Sequence, residues 1–249
     1  MRSMAFAAAL TLAASSAHAS ETAKIPKQNW SFGGIFGTFD RAQLQRGFTV
    51  YKNVCSACHG MNLIAYRNLT EIGFSEDEVK AIAAEYEVTD GPNDEGEMFQ
   101  RPARPSDRLR KPFANENAAR AANNGAAPPD LSLMIKARED GANYVYALLT
   151  GYAEPPADMK MADAMSFNKH FPGGQIAMAP PISEGAVEYA DGTSATVEQI
   201  SRDVVAFLAW AAEPEMEARK RLGVKVILFL LVLTGMLYAV KRKVWADVH

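Results

Sequence analysis

Hydrophobic residues are distributed unevenly along the chain, with apolar runs at both ends and periodically spaced apolar positions between them. Near the C-terminus, residues 222–240 are apolar except for Lys225 and Thr234. At about 1.5 Å per residue, a helix of this length just crosses a hydrocarbon core of roughly 30 Å. The run has no polar face, unlike the half-buried helix of a soluble core. We predict a helix over residues 214–243 that spans the membrane at 222–240, followed by a tail at 244–249.

The N-terminal apolar run is shorter and has different flanks. The basic residue Arg2 precedes residues 5–14, and the small residues Ala17 and Ala19 lie where cleavage is expected. A positive start, a short apolar region and a small-x-small site are typical of a secretory signal peptide. We therefore predict a signal peptide over residues 1–19.

The signal peptide also sets the orientation, because basic residues flank both ends of the span in equal number, at 219–221 and 241–243. Residues 20–213 are expected to fold on the periplasmic side of a bacterial-type inner membrane, with residues 244–249 in the cytoplasm. The formal net charge is only -3, and nothing in the composition indicates a nucleic-acid partner.

Between the two ends, capping residues and apolar spacing predict several short helices in one domain, residues 20–213. Asp40 begins a helix that leads directly into Cys55, since Leu44, Phe48 and Tyr51 share one face. Further starts are predicted at Ser75, at Asn115 with an end near Gly125, and at Thr196 with an end before Pro214, and residues 131–140 are also predicted helical, up to Gly141. Strand signals at 180–182 and 187–189 are too short for a sheet. The predicted fold class is mostly α.

The strongest chemical motif is Cys55-Ser56-Ala57-Cys58-His59. Two thiols can form thioethers with the vinyl groups of a haem, and the adjacent imidazole can then ligate its iron. The alternatives are a thioredoxin-type redox disulfide and half of a zinc site. A helix rather than a strand precedes the motif, and the chain has only 2 cysteines. Both points favour one covalently bound haem c, with Cys55 and Cys58 attached and His59 as the proximal ligand.

The residues alone leave several candidates for the sixth iron ligand. A thioether raises the reduction potential and closes the iron to other ligands, as an electron carrier requires. Met178 lies in a proline-stiffened segment, residues 171–182, and is the preferred candidate. Met134 is expected to fill the core of its predicted helix. The other open candidates are Met159, Met161, Met165 and His170.

Residues 71–97 hold ten acidic residues against one base, Lys80. Such a cluster is often only a solvated surface. The functional alternative is a steering surface for a basic partner, because focused charge accelerates association at low salt.

The motifs taken together resemble the cytochrome c1 family, the haem-bearing subunit of the cytochrome bc1 complex (ubiquinol–cytochrome c reductase). The resemblance covers nearly the whole mature chain. Its matching stretches are residues 54–59, 118–126, 128–132, 148–152, 171–182 and 207–214.

The resemblance implies a class I c-type cytochrome domain with loop insertions, and His59 and Met178 as axial ligands. It also implies that Arg138 and Tyr144 pair with the haem propionates, while Asn123 and Pro129 line the haem. In such a complex, the Rieske iron–sulfur protein delivers one electron after quinol oxidation on cytochrome b, and a soluble c-type cytochrome collects it. The chain by itself is then not an enzyme.

Two other functions stay open. A free-standing membrane-anchored shuttle would need a mobile linker before its anchor. A haem peroxidase would need an open or displaceable sixth site at the iron.

Overall fold

A computed structural model describes residues 24–248, so the predicted signal peptide, residues 1–19, lies outside the described range. The described chain is mostly helical, which confirms the predicted fold class. Its helices and strands are α1 Arg41–Asn53, α2 Glu76–Ala84, β1 Glu87–Asp90, β2 Phe99–Pro102, α3 Glu116–Ala122, α4 Gly141–Thr150, β3 Ser166–Phe167, β4 Gln175–Ile176, α5 Val197–Ala212 and α6 Met216–Val244. Short 3-10 helices cover Cys55–Ala57, Tyr66–Ile72 and Ala246–Val248.

The four helix starts predicted from capping residues are confirmed. Asp40, Asn115 and Thr196 each accept a hydrogen bond from a backbone N–H in the first turn of α1, α3 and α5. Ser75 and Glu78 form a reciprocal capping box at the start of α2. These side chains satisfy N–H groups that have no partner within the helix.

The helix predicted over residues 131–140 is wrong. The segment is a succession of turns, and the helix α4 begins only at Gly141. Asp140 lies in the left-handed region with φ 58°, which no residue inside an α-helix adopts. Gly141, predicted as a stop, is therefore the first residue of a helix that the apolar pattern did not reveal.

Two small antiparallel hairpins were also not predicted. Strands β1 and β2 pair from Glu87 with Pro102 to Asp90 with Phe99, and β3 and β4 pair over two residues. Strand β1 lies within the acidic segment, residues 71–97, and β2 begins just after it. Residues 180–182 and 187–189 are irregular, as the sequence indicated.

The core forms where α1 crosses α5. Gly47 allows the close approach, because a Cβ at this position would lie 2.1 Å from the carbonyl oxygen of Asp203 and 2.6 Å from Cβ of Phe207. The rings of Phe48 and Tyr51 pack on Phe207 with centroids 5.7 and 5.8 Å away. This crossing fixes the end of α1, and with it the start of the Cys55–His59 motif.

The last helix, α6, is long and apolar enough to cross a membrane, and none of its most apolar stretch is buried against the rest of the protein. It begins at Met216, two residues later than the predicted start at Pro214. Glu213 is not helical, with φ -153° and ψ 71°, since the following proline disfavours the α region for this residue. Only residues 213–215 separate α5 from α6.

Candidate haem site

The Cys55–His59 motif folds into one tight turn at the end of α1. The backbone N–H groups of Cys58 and His59 both donate to the carbonyl of Cys55, at 3.1 and 2.9 Å. The turn brings the two thiols and the imidazole together, and both thiols are free. Burial raises the pKa of Cys55 to about 12. A redox-active disulfide needs a lowered thiol pKa, so this environment does not suit the thioredoxin-type alternative.

The His59 ring is oriented by a backbone carbonyl. Its Nδ1 lies 2.7 Å from the oxygen of Pro129. A carbonyl can only accept, so Nδ1 carries the hydrogen and Nε2 is left with its lone pair. Burial lowers the pKa of His59, which favours the neutral form. A neutral imidazole with one fixed N–H is the usual state of a metal-binding histidine.

The segment that contains Pro129 is tied closely to the segment after the motif, residues 60–63. Three hydrogen bonds join the two segments and fix residues 129–132, which we call the wall, beside His59. They run from Leu131 N–H to the Gly60 carbonyl at 2.8 Å, from Asn62 N–H to the Asp130 carboxylate at 2.8 Å, and from Leu63 N–H to the Ser132 hydroxyl at 3.0 Å.

A cleft of about 400 Å³ opens along this wall, between Leu63, Pro129, Leu133 and Arg138. Leu63 and Leu133 leave about half of their area exposed, at 53% and 47%. Apolar surface beside a guanidinium suits a flat apolar ring that carries carboxylates at its edge. The thiols, the oriented imidazole and this cleft therefore fit a haem c.

Arg138 and Tyr144, expected to pair with haem propionates, lie near each other. The Arg138 guanidinium is exposed and donates to the Ala137 carbonyl at 3.0 Å. Burial raises the pKa of Tyr144, and the positive charge of Arg138 opposes that shift. Asn123 ends α3, and its side-chain amide donates to the Ala119 carbonyl at 2.7 Å. The cleft thus joins Arg138 to Pro129, whose carbonyl accepts from the His59 ring, whereas Asn123 is held by its own helix.

Met178 is held through its backbone. The hydroxyl of Tyr152 donates to the Met178 carbonyl at 3.0 Å. Burial raises the pKa of the Tyr152 phenol, so the hydroxyl stays protonated and able to donate. Tyr152 also forms a β-bridge with Asn168, which fixes it to the scaffold. Tyr152 was not predicted as a site residue, although it ends the matching stretch 148–152.

Two of the other candidate sixth ligands, Met159 and His170, pack on glycines of the fold. The Met159 methyl lies over Gly174, and a Cβ added to that glycine would lie 3.0 Å from it. The His170 ring lies over Gly151, and a Cβ added there would lie 2.7 Å from the ring. Met165 is 41% exposed. Met134 lies in a turn rather than in the predicted helix, but it packs against the hydrophobic core as expected and also borders the cleft.

Comparison with known proteins agrees with this geometry. A model of the Cytochrome C1 family matches residues 30–248. Cytochrome c1 of Rhodospirillum rubrum is 53% identical over 238 residues, covering 89% of this chain and 88% of that protein.

Mitochondrial relatives are similar over comparable lengths. An Arabidopsis thaliana protein described as "Cytochrome c1 2, heme protein" is 53% identical over 230 residues, covering 92% of this chain and 75% of that protein. The "Cytochrome b-c1 complex catalytic subunit" of Candida albicans is 47% identical over 224 residues, covering 90% and 78%.

Proposed function

The chain belongs to the cytochrome c1 family, and from that premise we propose that it is the haem-bearing electron-transfer subunit of a cytochrome bc1 complex. It accepts one electron from the Rieske iron–sulfur protein and passes it to a soluble c-type cytochrome. By itself it catalyses no bond-making step. Its relative from Candida albicans carries the name of the same complex.

The observation that carries the proposal is the His59 ring, whose Nδ1–H is committed to the Pro129 carbonyl at 2.7 Å. This bond turns Nε2, on the opposite side of the ring, away from the Pro129 carbonyl. A haem c held there supplies a reversible one-electron iron couple. Cys55 and Cys58 attach it covalently, and His59 is the proximal ligand.

The remaining site residues complete the coordination of the haem iron and enclose the haem. Met178 is the second axial ligand, and Tyr152 holds the backbone on which it lies. Arg138 and Tyr144 pair with the propionates, since a guanidinium and a phenol are suitable partners for buried carboxylates. Pro129 lines the ring, and Asn123 lies at its margin.

The link between the domain and its anchor supports a fixed subunit rather than a free shuttle. Residues 213–215 are too few for a mobile linker. Glu213 pairs with Arg219 across this link, and Met216 is buried in the domain core. A domain held so firmly on its anchor cannot travel between distant partners, so its donor must come to it.

We extend the proposal to the membrane. The apolar helix α6 spans it, residues 1–19 are a signal peptide, and the haem domain lies on the periplasmic side with residues 244–249 in the cytoplasm. Cytochrome b is the neighbouring subunit. A basic cytochrome is steered by the acidic residues of 71–97, most of which are exposed.

Purification in mild detergent tests the proposal. The chain should carry a haem that stays attached under denaturing conditions, and cytochrome b and a Rieske protein should co-purify with it. A haem-loaded chain that purifies alone under several mild detergents would contradict the assignment to a complex. A chain without covalent haem would contradict the site itself.

A further inference from the structure

We propose that the loop of residues 31–38 is a second membrane contact, with Ile35 and Phe36 inserted into the lipid interface beside α6. The inference rests on the membrane span proposed for α6. Phe36 is 83% exposed and Ile35 69%, more than any other large apolar side chain of the described residues. Two adjacent apolar side chains this exposed at a loop tip are unusual in water and typical of surfaces that meet a partner or a lipid.

The base of the loop is attached to the first turns of α6. The Nζ of Lys220 donates to the carbonyl of Phe32 at 2.7 Å and to that of Gly37 at 3.0 Å. A Cβ on Gly37 would lie 2.0 Å from the Gly33 carbonyl oxygen. The two arms of the loop therefore touch at Lys220, and residues 33–36 form the tip beyond it.

The loop is directed toward the apolar span. The Phe39 N–H donates to the Glu217 carboxylate at 2.7 Å, while the carbonyl of Gly37 is bound by Lys220. From Phe39 to Gly37 the contacts of the loop thus move from Glu217 to Lys220, about one helical turn closer to the apolar span. Continued in this direction, the loop carries its tip toward Leu222, where the apolar span begins.

The exposure of the tip is maintained by a rigid base. The Phe32 ring packs on Trp30 and Phe39, with centroids 5.4 and 5.3 Å apart. Trp30 donates to the side chain of Asn143 at 2.9 Å, and Arg202 lies 5.3 Å above its ring. The loop is therefore braced against the domain and cannot readily fold its two apolar side chains inward.

Lipid is the occupant that the position of the tip favours. The base of the loop is bound to the first turns of a membrane-length helix, and the exposed Arg221, one residue after Lys220, can meet lipid phosphates. Aromatic and aliphatic side chains near a helix end, with basic residues at the same level, are typical of membrane interfaces. The loop and α6 would then attach the domain at two points and fix its tilt on the membrane.

Spin-label accessibility tests the proposal in the haem-loaded complex reconstituted in phosphatidylcholine nanodiscs. A nitroxide is attached to Phe36→Cys, and collision rates are measured with oxygen, which partitions into lipid, and with a water-soluble nickel chelate. Leu230→Cys, within α6, is the lipid control. Asp94→Cys, in the charged turn between β1 and β2, is the aqueous control. Labelled unsubstituted complex provides the background, and the haem spectrum checks folding.

We expect the ratio of oxygen to nickel collisions at Phe36 to be several-fold higher than at Asp94 and to lie between the two controls. A ratio equal to that at Asp94 would place the tip in water and overturn the proposal. Low collision rates with both reagents would mean that protein covers the tip, which also overturns it. If Leu230 itself gives an aqueous ratio, the span of α6 fails and this inference fails with it. If Phe36 gives an aqueous ratio while Leu230 gives a lipid ratio, the membrane span of α6 stands and only the loop contact is overturned.

Discussion

At the residue scale, the sixth ligand depends on single side chains, and two methionines allow a matched comparison. Met178→Leu should lower the reduction potential by on the order of 0.1 V, because loss of the thioether removes its preference for ferrous iron. It should also let external ligands bind. Met134→Leu, in the cleft wall, should leave both unchanged. Redox titration with absorption spectra measures the difference, and the reverse pattern would assign the ligand to Met134.

Tyr152→Phe tests how Met178 is positioned. The substitution removes the hydroxyl that donates to the Met178 carbonyl at 3.0 Å. A lost hydrogen bond of about 0.5–1.5 kcal/mol should make displacement of the thioether by imidazole roughly 2- to 12-fold easier. Tyr146→Phe, on the preceding helix α4, is the control and should not change imidazole affinity. A loss of thermal stability with unchanged imidazole binding would reduce Tyr152 to a structural role.

The sequence predicted residues whose chemistry is local. The capping side chains and the Cys55–His59 turn act within three or four positions, so their spacing alone indicates their roles. Tyr152 acts on a backbone carbonyl 26 residues away, and no local pattern marks such a bond. Pro129 was placed at the haem only through the family resemblance. Its bond to His59 is made by a backbone carbonyl, which any residue type could provide.

At the scale of elements, the crossing of α1 and α5 determines where the haem motif begins. Gly47→Ala should lower the melting temperature by roughly 3–10 °C, because the added methyl meets a backbone oxygen and a Cβ that cannot move unless the helices separate. Thermal unfolding followed by circular dichroism measures the effect. Ala42→Ser, on the exposed face of α1, should change little. An unchanged melting temperature for Gly47→Ala would mean that the helices separate without cost.

Elements were predicted well where periodicity and caps agreed, as in α1, α2 and α5. The segment 131–140 contains apolar residues at helical spacing, yet hydrogen bonds that join the backbone of Leu131 and the side chains of Asp130 and Ser132 to residues 60–63 hold its start in turns beside His59. Tertiary contacts thus override local preference at the site itself. The loop of residues 31–38 has neither helical nor strand periodicity, because Phe32 packs on Trp30 and Phe39 at the base of the loop while Phe36 is exposed at its tip.

At the scale of the whole molecule, the described chain is an electron carrier with an acidic side and a fixed anchor. The acidic segment, residues 71–97, consists largely of α2, β1 and the turn that follows β1, and its residues 91–97 are all exposed. Some of its acids have structural partners: Glu78 caps α2, and Asp77 pairs with Lys80 at 3.0 Å. A test of steering must therefore avoid these residues and use acids without such contacts.

Glu76→Gln combined with Glu95→Gln removes two exposed charges without removing a hydrogen bond of the fold. The double variant should slow electron transfer to a basic c-type cytochrome by about threefold at low ionic strength, because it weakens the field that attracts the partner. The difference should shrink once the Debye length falls to about 10 Å at 0.1 M salt. Stopped-flow oxidation of the reduced complex measures the rate. Glu188→Gln with Glu198→Gln removes the same charge outside the segment, and an equal effect there would mean that net charge alone is responsible.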